Sequence, residues 1–175
     1  MNRKTKFITT TAVLIAVLVV VQFITKSMSQ LVTGSLVNMI LIAAASLTGI
    51  AGGICVAVIS PLMAFLLGIG PKLPQLVPLI ALGNLVIVVV CGGLVSVLNM
   101  NDLLKWAVSV LIGAAAKFAV LYFGIVRIAL PLMPNIPEKQ AAVISALFGA
   151  AQFVTAVIGG ALAYLVVRVL SRSRR

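Results

Sequence analysis

Residues 111–125 read LIGAAAKFAVLYFGI, and Lys117 is the one charged side chain among these fifteen residues. With its flanks, over residues 103–128, the run is long enough to cross a bilayer as a helix. A charged side chain at mid-membrane costs ~2.5–3.5 kcal/mol on insertion scales, and it is kept where it faces a bundle interior, a water-filled cavity or a ligand. Lys117 lies about 16 Å from the nearer helix end, at 1.5 Å per residue. This depth favours a polar pocket over the alternative, a lysine that reaches a head-group layer.

The composition is that of a polytopic membrane protein. Of the 175 residues, 63% are hydrophobic and 9% are charged, and the mean hydropathy is +1.30. Because a backbone in lipid must satisfy its own polar groups, long and non-alternating apolar runs predict helices. The formal net charge of +11 comes mainly from basic residues at the chain ends and in loops. That distribution is typical of membrane topology and does not indicate nucleic-acid binding.

The residue types that are scarce exclude several classes of function. Histidine is absent, and the only acidic residues, Asp102 and Glu138, fall in predicted connecting segments. The chain therefore lacks the intramembrane carboxylates of many ion-coupled carriers, and we expect no enzyme activity. It also lacks the G-x-x-x-x-G-K-[ST] loop that binds nucleotide phosphates. Cys55 and Cys91 lie in apolar runs without metal-ligand spacing, so we expect no metal and no cofactor.

The apolar runs predict one all-α integral membrane domain over residues 1–175, a bundle of six transmembrane helices. Turn-forming segments separate the helices. They are predicted over residues 7–25, 34–47, 54–68, 79–98, 103–128 and 141–170. The second and third are short, so two short spans or a broken hairpin both fit, and Pro61 should kink or break the third. The first helix is interpreted as retained, because its apolar stretch is longer than that of a usual signal peptide.

The distribution of lysine and arginine predicts the orientation of the bundle. Six spans place both termini on one side of the membrane. Eight basic residues fall on that side and four on the other, so the positive-inside rule puts the termini in the cytoplasm. The eight are Arg3, Lys4, Lys6, Lys105, Arg168, Arg172, Arg174 and Arg175, and the four are Lys26, Lys72, Arg127 and Lys139.

With this orientation, four polar side chains lie in the outer half of the bilayer or near its midplane. Asn38 and Asn84 would lie roughly 6 and 8 Å below the outer helix ends, and Lys117 and Gln152 roughly 16 Å. A few polar groups in an apolar wall are typical of a small-molecule pocket. Lys117 would bind an anionic group of the ligand. Tyr122 and Phe118 could stack on a ring of the ligand, or they could only pack against their neighbours. Alternatively, the amides only form hydrogen bonds to neighbouring helices.

Two local features resemble the substrate-binding (S) subunits of energy-coupling factor (ECF) vitamin transporters. Ala12-Val-Leu-Ile-Ala16 resembles the A-x-x-x-A motif on helix 1 by which S subunits dock on their coupling subunit. Residues 60–71 (SPLMAFLLGIGP) followed by residues 77–84 (VPLIALGN) look like the passage from helix 3 to helix 4 in that family. The size, the six predicted helices and the missing energy motif also agree, so the resemblance covers essentially the whole chain.

The resemblance implies a non-catalytic subunit of an ABC-type importer in a bacterial plasma membrane. It would capture a vitamin or related micronutrient from outside and topple to deliver it through a transmembrane coupling subunit driven by two ATPase subunits. Ala12 and Ala16, which share a small-residue face with Thr9, would contact the coupling subunit. Gln30 would contact the solute from a covering loop over residues 26–33, together with the predicted pocket residues. The alternative is a structural or assembly subunit without a small-molecule ligand.

Overall fold

The chain is almost entirely helical in the computed structural model, which describes residues 2–172. Arg174 and Arg175, which were counted in the orientation argument, lie outside the described residues. The described α-helices are α1 (Arg3–Thr25), α2 (Gln30–Leu66), α3 (Val77–Val97), α4 (Asp102–Leu121), α5 (Glu138–Phe148) and α6 (Ala150–Arg172). A short 3-10 helix (Pro74–Leu76) precedes α3, and a π-helix (Tyr122–Ala129) continues α4. The predicted all-α architecture is confirmed.

Five helical segments within residues 2–172 are long and apolar enough to cross a membrane, judged by length and composition. They are Arg3–Thr25, Gln30–Leu66, Pro74–Val97, Asp102–Ala129 and Glu138–Arg172. Large apolar side chains in the middle of helices, such as Val20, Val89 and Ile112, are exposed, as expected for a bundle surrounded by lipid. The core lies between α2, α3, α4 and α6, where Leu41 and Ile87 are fully buried.

The helix α2 turns back on itself at Gly49. This glycine has φ 78° and ψ 174°, a left-handed conformation that favours glycine. A Cβ added to Gly53 would lie 3.1 Å from the Cα of Ala45, whereas eight residues of continuous helix span about 12 Å. Residues 30–48 and 50–66 therefore pack against each other. The turn predicted over residues 48–53 is too long, because the break is confined to Gly49 and helical backbone resumes directly after it.

The prediction of one continuous helix over residues 141–170 is wrong, because the helix is interrupted at Gly149. The residue has φ −85° and ψ −143°, and it separates α5 from α6. A Cβ at this position would lie 2.8 Å from the carbonyl oxygen of Ser145, so the break requires glycine. The interruption leaves helical carbonyl groups without backbone donors. Nε2 of Gln152 donates to one of them, the carbonyl oxygen of Leu147, at 3.0 Å.

Four further observations concern the helix ends and the course of the helices. Gln30, predicted in a loop, lies in the first turn of α2. The helical backbone continues through Pro61, so the chain is not broken there. The start of α4 is capped by Asn101, whose Oδ1 accepts a hydrogen bond from the backbone N–H of Leu104 at 2.8 Å. The helix predicted over residues 103–128 becomes π-helical at Tyr122, which changes the direction of the side chains that follow.

Candidate functional site

Lys117 joins three helices through its ammonium group. Its side chain projects from α4 and is 3% exposed. Nζ donates to Oδ1 of Asn38 in α2 at 2.6 Å and to Oδ1 of Asn84 in α3 at 2.8 Å. Both asparagines are buried as well. The structure thus brings together three of the polar residues predicted to form a pocket, and it contradicts the alternative in which Lys117 reaches a head-group layer.

The polar network extends from Asn38 to α6. Nδ2 of Asn38 donates to Oγ1 of Thr155 at 3.3 Å, and this hydroxyl donates to the carbonyl oxygen of Gln152 at 3.2 Å. The close approach depends on Gly159, because a Cβ there would lie 2.6 Å from the carbonyl oxygen of Ser35. One chain of hydrogen bonds therefore connects α3, α4, α2 and α6.

The charge of Lys117 has no carboxylate partner among residues 2–172. Asp102 is bonded to Lys105 at 2.8 Å, at the exposed start of α4, and Glu138 is exposed in the first turn of α5. These are the only acidic residues of the sequence. The described acceptors of the ammonium are neutral amide oxygens, which use two of its three donors. An anion placed beside Nζ would therefore be strongly stabilised in this buried setting.

A cavity of about 120 Å³ adjoins Lys117. It lies between α1, α2, α3 and α4, close to the break between α5 and α6. Polar side chains from several of these elements line it: Gln22, Gln30, Thr33, Ser60, Asn84 and Gln152. Pockets for drug-sized ligands measure about 300–1,000 Å³, so a vitamin-sized solute would require the cavity to widen. The cavity offers one cation and several amide and hydroxyl groups within an otherwise apolar wall.

A comparison with protein families identifies the chain. The family model described as "ECF transporter, substrate-specific component" matches residues 6–171. The chain belongs to this family. The resemblance noted in the sequence is thereby confirmed, and this S component is a transport subunit and a multi-pass membrane protein. No curated protein and no solved structure matches the chain significantly.

Membership in a transport family bears on the interpretation of the buried network. A substrate-specific component associates with an ECF module and binds a small-molecule substrate. This favours the substrate-binding interpretation over a structural subunit without a ligand. The cavity beside Lys117 is the described cavity that combines a buried cation with buried amides, and we take it as the candidate site of this S component.

Gln22 and Ser60 are cavity residues that the sequence reasoning missed. Nε2 of Gln22 donates to the carbonyl oxygen of Ser60 at 3.2 Å and to its Oγ at 3.3 Å, which joins α1 to the second half of α2. Oε1 of Gln22 is buried without a hydrogen-bond partner among the described residues. Gln22 is a single amide side chain in the apolar run of α1, and it could have been recognised in the same way as Asn84. Its partner, 38 residues away, carries no recognisable pattern.

The remaining predicted pocket residues divide into two groups. Gln30 and Gln152 line the cavity, and Gln152 is 6% exposed. Tyr122 does not line it. Its ring stacks on Phe118 with 5.5 Å between the ring centroids, and the guanidinium carbon of Arg127 lies 5.3 Å from its ring centre. Tyr122 is therefore not part of the site in this structure.

The predicted docking residues lie on the outer face of α1. Thr9, Ala12 and Ala16 are exposed, whereas Thr11 and Leu18 are buried against the bundle. The small-residue stripe of this S component is thus exposed in the described structure. Its contact with a coupling subunit stays a prediction.

Proposed function

We propose that this S component captures a small, vitamin-type micronutrient with an anionic group and delivers it through a transmembrane coupling subunit driven by two ATPase subunits. The observation that carries the proposal is the ammonium of Lys117, which is 3% exposed, adjoins a cavity and has amide oxygens as its described acceptors. A carboxylate or phosphate at Nζ would supply the missing counter-charge through a charge-assisted hydrogen bond.

Asn84 would take part in recognising the same anion. An ammonium can only donate, so the side chain of Asn84 must turn its Oδ1 toward Lys117. Its Nδ2 group is then directed away from the ammonium and can donate to a ligand oxygen. The pair would present two donors of different kinds to one anionic group. Gln30 and Gln152, which also line the cavity, would contact the rest of the solute.

We also propose that the chain crosses a bacterial plasma membrane six times with both termini in the cytoplasm. The reversal at Gly49 divides α2 into residues 30–48 and 50–66, which are about 28 and 25 Å long at 1.5 Å per residue. If these two halves are counted as separate spans, the number of membrane spans is even, and both termini lie on the same side. The described basic residues favour the same orientation: Arg3, Lys4, Lys6, Lys105, Arg168 and Arg172 lie on the side of the termini, and Lys26, Lys72, Arg127 and Lys139 on the other.

This orientation would open the candidate site to the outside. The cavity is lined by Gln30, at the start of α2, and by residues 69–71, which follow its end. In a six-span arrangement both segments lie on the side opposite to the termini. The solute would then enter from outside the cell and reach Lys117 before the subunit engages its transport partners.

Matched pairs of acid and neutral analogue test the proposal. The purified S component is titrated in mild detergent with pantothenate and pantothenol, nicotinate and nicotinamide, and lipoate and lipoamide, and the thermal shift is recorded. We expect one acid to stabilise the protein and its neutral analogue to bind at least about tenfold more weakly, since hydrogen bonds to charged groups contribute ~1.5–3 kcal/mol. Lys117→Met should abolish this discrimination.

Lys105→Met is the matched control, because Lys105 lies on the same helix but at the surface, paired with Asp102. It should leave binding unchanged. Equal affinity for an acid and its neutral analogue, or an acid preference that survives Lys117→Met, would overturn the proposed recognition.

A further inference from the structure

Two adjoining depressions lie where the start of α4 meets the end of α6. The first, the basic cavity, measures about 240 Å³ and is lined by polar and charged side chains: Asp102, Lys105, Arg168 and Ser171. The second, the apolar groove, measures about 510 Å³ and runs deeper between the same helices, lined by Leu103, Ala107, Leu111, Val157, Ala161 and Leu165. Trp106 and Tyr164 line both, so the two depressions adjoin each other.

One of the two shared aromatic side chains, Tyr164, contacts the cation Arg168 at the mouth of the apolar groove. Nε1 of Trp106 donates to the carbonyl oxygen of Gly160 at 2.9 Å, which fixes the indole between α4 and α6. The rings of Trp106 and Tyr164 are 5.6 Å apart. The guanidinium of Arg168 donates to the hydroxyl of Tyr164 at 2.9 Å and lies 5.6 Å from the centre of its ring.

The basic cavity carries an excess of positive charge. Asp102 is bonded to Lys105, and the described contacts of Arg168 are with the neutral Tyr164. Arg172 lies one helical turn beyond Arg168. A ligand group that complements the charge of the basic cavity is therefore anionic. The same ligand must also have an apolar part to fill the adjoining apolar groove.

The length of the apolar groove matches one leaflet of a bilayer. Its lining extends over residues 103–111 of α4 and residues 157–165 of α6, about 12 Å of helix in each case. Half of a hydrocarbon core is about 15 Å thick. Tryptophan, tyrosine and basic residues are the side chains that mark the level of the head groups. The groove thus runs inward from the head-group level for most of one leaflet.

We infer that the α4–α6 groove binds a glycerophospholipid with an anionic head group. The phosphate contacts Arg168 and Lys105 in the basic cavity, and one acyl chain lies in the apolar groove against Trp106. Basic pockets between transmembrane helices bind anionic lipid head groups in this way. The site is distinct from the cavity beside Lys117 and does not depend on the identity of the transported solute.

Trp106 is the only tryptophan of the chain, which provides a direct test. The S component is reconstituted into phosphatidylcholine vesicles that contain a few mole per cent of either phosphatidylglycerol or phosphatidylcholine with brominated acyl chains. Bromine quenches tryptophan fluorescence only at short range. We expect brominated phosphatidylglycerol to quench Trp106 at several-fold lower mole fraction than brominated phosphatidylcholine. Arg168→Gln should reduce this preference about fivefold, the effect of one basic side chain near the membrane surface.

Variants of the apolar groove separate the acyl chain from the head group. Ala161→Phe should fill the groove and reduce quenching by both lipids. Ala115→Phe, on an exposed face of α4 outside the groove, and Arg127→Gln, outside the basic cavity, are the matched controls and should change nothing. Equal quenching by the two brominated lipids, or an unchanged preference in Arg168→Gln, would overturn the inference. Displacement of the lipid by millimolar glycerol phosphate would overturn it too, in favour of a site for a free anion.

Discussion

The hydrogen bond between Lys117 and Asn84 predicts a large coupling between the two residues in protein stability. Nζ lies 2.8 Å from Oδ1, and both side chains are 3% exposed. Asn84→Leu removes an acceptor from a buried ammonium, and a hydrogen bond to a charged group contributes ~1.5–3 kcal/mol. We expect the free energy of unfolding to fall by about 2 kcal/mol in this variant.

The same substitution should have little effect once Lys117 is absent. Lys117→Met removes the ammonium and with it the cost of burying a charge, ~2.5–3.5 kcal/mol on insertion scales. Replacing both hydrogen-bonding partners by apolar side chains can leave the stability nearly unchanged. In the Lys117→Met background, Asn84→Leu should therefore cost less than about 0.5 kcal/mol, which corresponds to a coupling energy of about 1.5 kcal/mol or more.

The assay is reversible unfolding of the solute-free protein in mixed micelles of mild detergent and dodecyl sulfate. Unfolding can be followed by the fluorescence of Trp106, the single tryptophan, which is 8% exposed. A double-mutant cycle between Asn84→Leu and Lys105→Met is the control, since these residues share no described contact. In this cycle the two changes in the free energy of unfolding should be additive. If the cycle with Lys117 is additive as well, the buried network does not exist in the membrane protein.

Two further sets of substitutions test the reversal of α2 at Gly49 and the predicted docking residues of α1. Gly49→Ala should lower the free energy of unfolding by roughly 1–2 kcal/mol, because an alanine at φ 78° is strained. Gly93→Ala, at a helical glycine with open space around it, should be neutral or slightly stabilising, and equal effects in the two variants would refute the reversal at Gly49. Ala12→Trp and Ala16→Trp should block assembly with the coupling subunit, measured by co-purification, while solute binding persists. Normal assembly of both, or equal loss in the control Ala115→Trp, would contradict the proposed interface.

The centre of the candidate site was predictable because a charge in an apolar run is a strong signal. Lys117 identified the helix that carries the site. Asn38 and Asn84 were recognisable as single amides in the outer half of the neighbouring predicted helices. Tyr122 was misplaced for a geometric reason. At about 100° per residue, a side chain five residues after Lys117 lies roughly 140° away around the helix, so it could not share the face that carries the ammonium.

The interruptions of the fold were only partly predictable. Glycine is common in membrane helices, so its presence does not distinguish a break from a close contact between helices. Gly49 lies between two predicted helices, whereas Gly149 lies inside the helix predicted over residues 141–170. What separates them from helical glycines such as Gly159 is tertiary packing, which involves residues distant in sequence. The pairing of Gln22 with Ser60 escaped prediction for the same reason.

The most direct test of substrate recognition at Lys117 is to identify what the purified protein retains. The S component, Lys117→Met and Lys105→Met are purified in mild detergent and denatured, and the released small molecules are quantified by mass spectrometry. We predict one small carboxylate- or phosphate-bearing metabolite in about stoichiometric amount from the unmodified protein and from Lys105→Met, and its loss from Lys117→Met. Release of a solute without an acidic group, or equal retention of an acidic one by Lys117→Met, would contradict the assignment of Lys117 as the anion-binding residue.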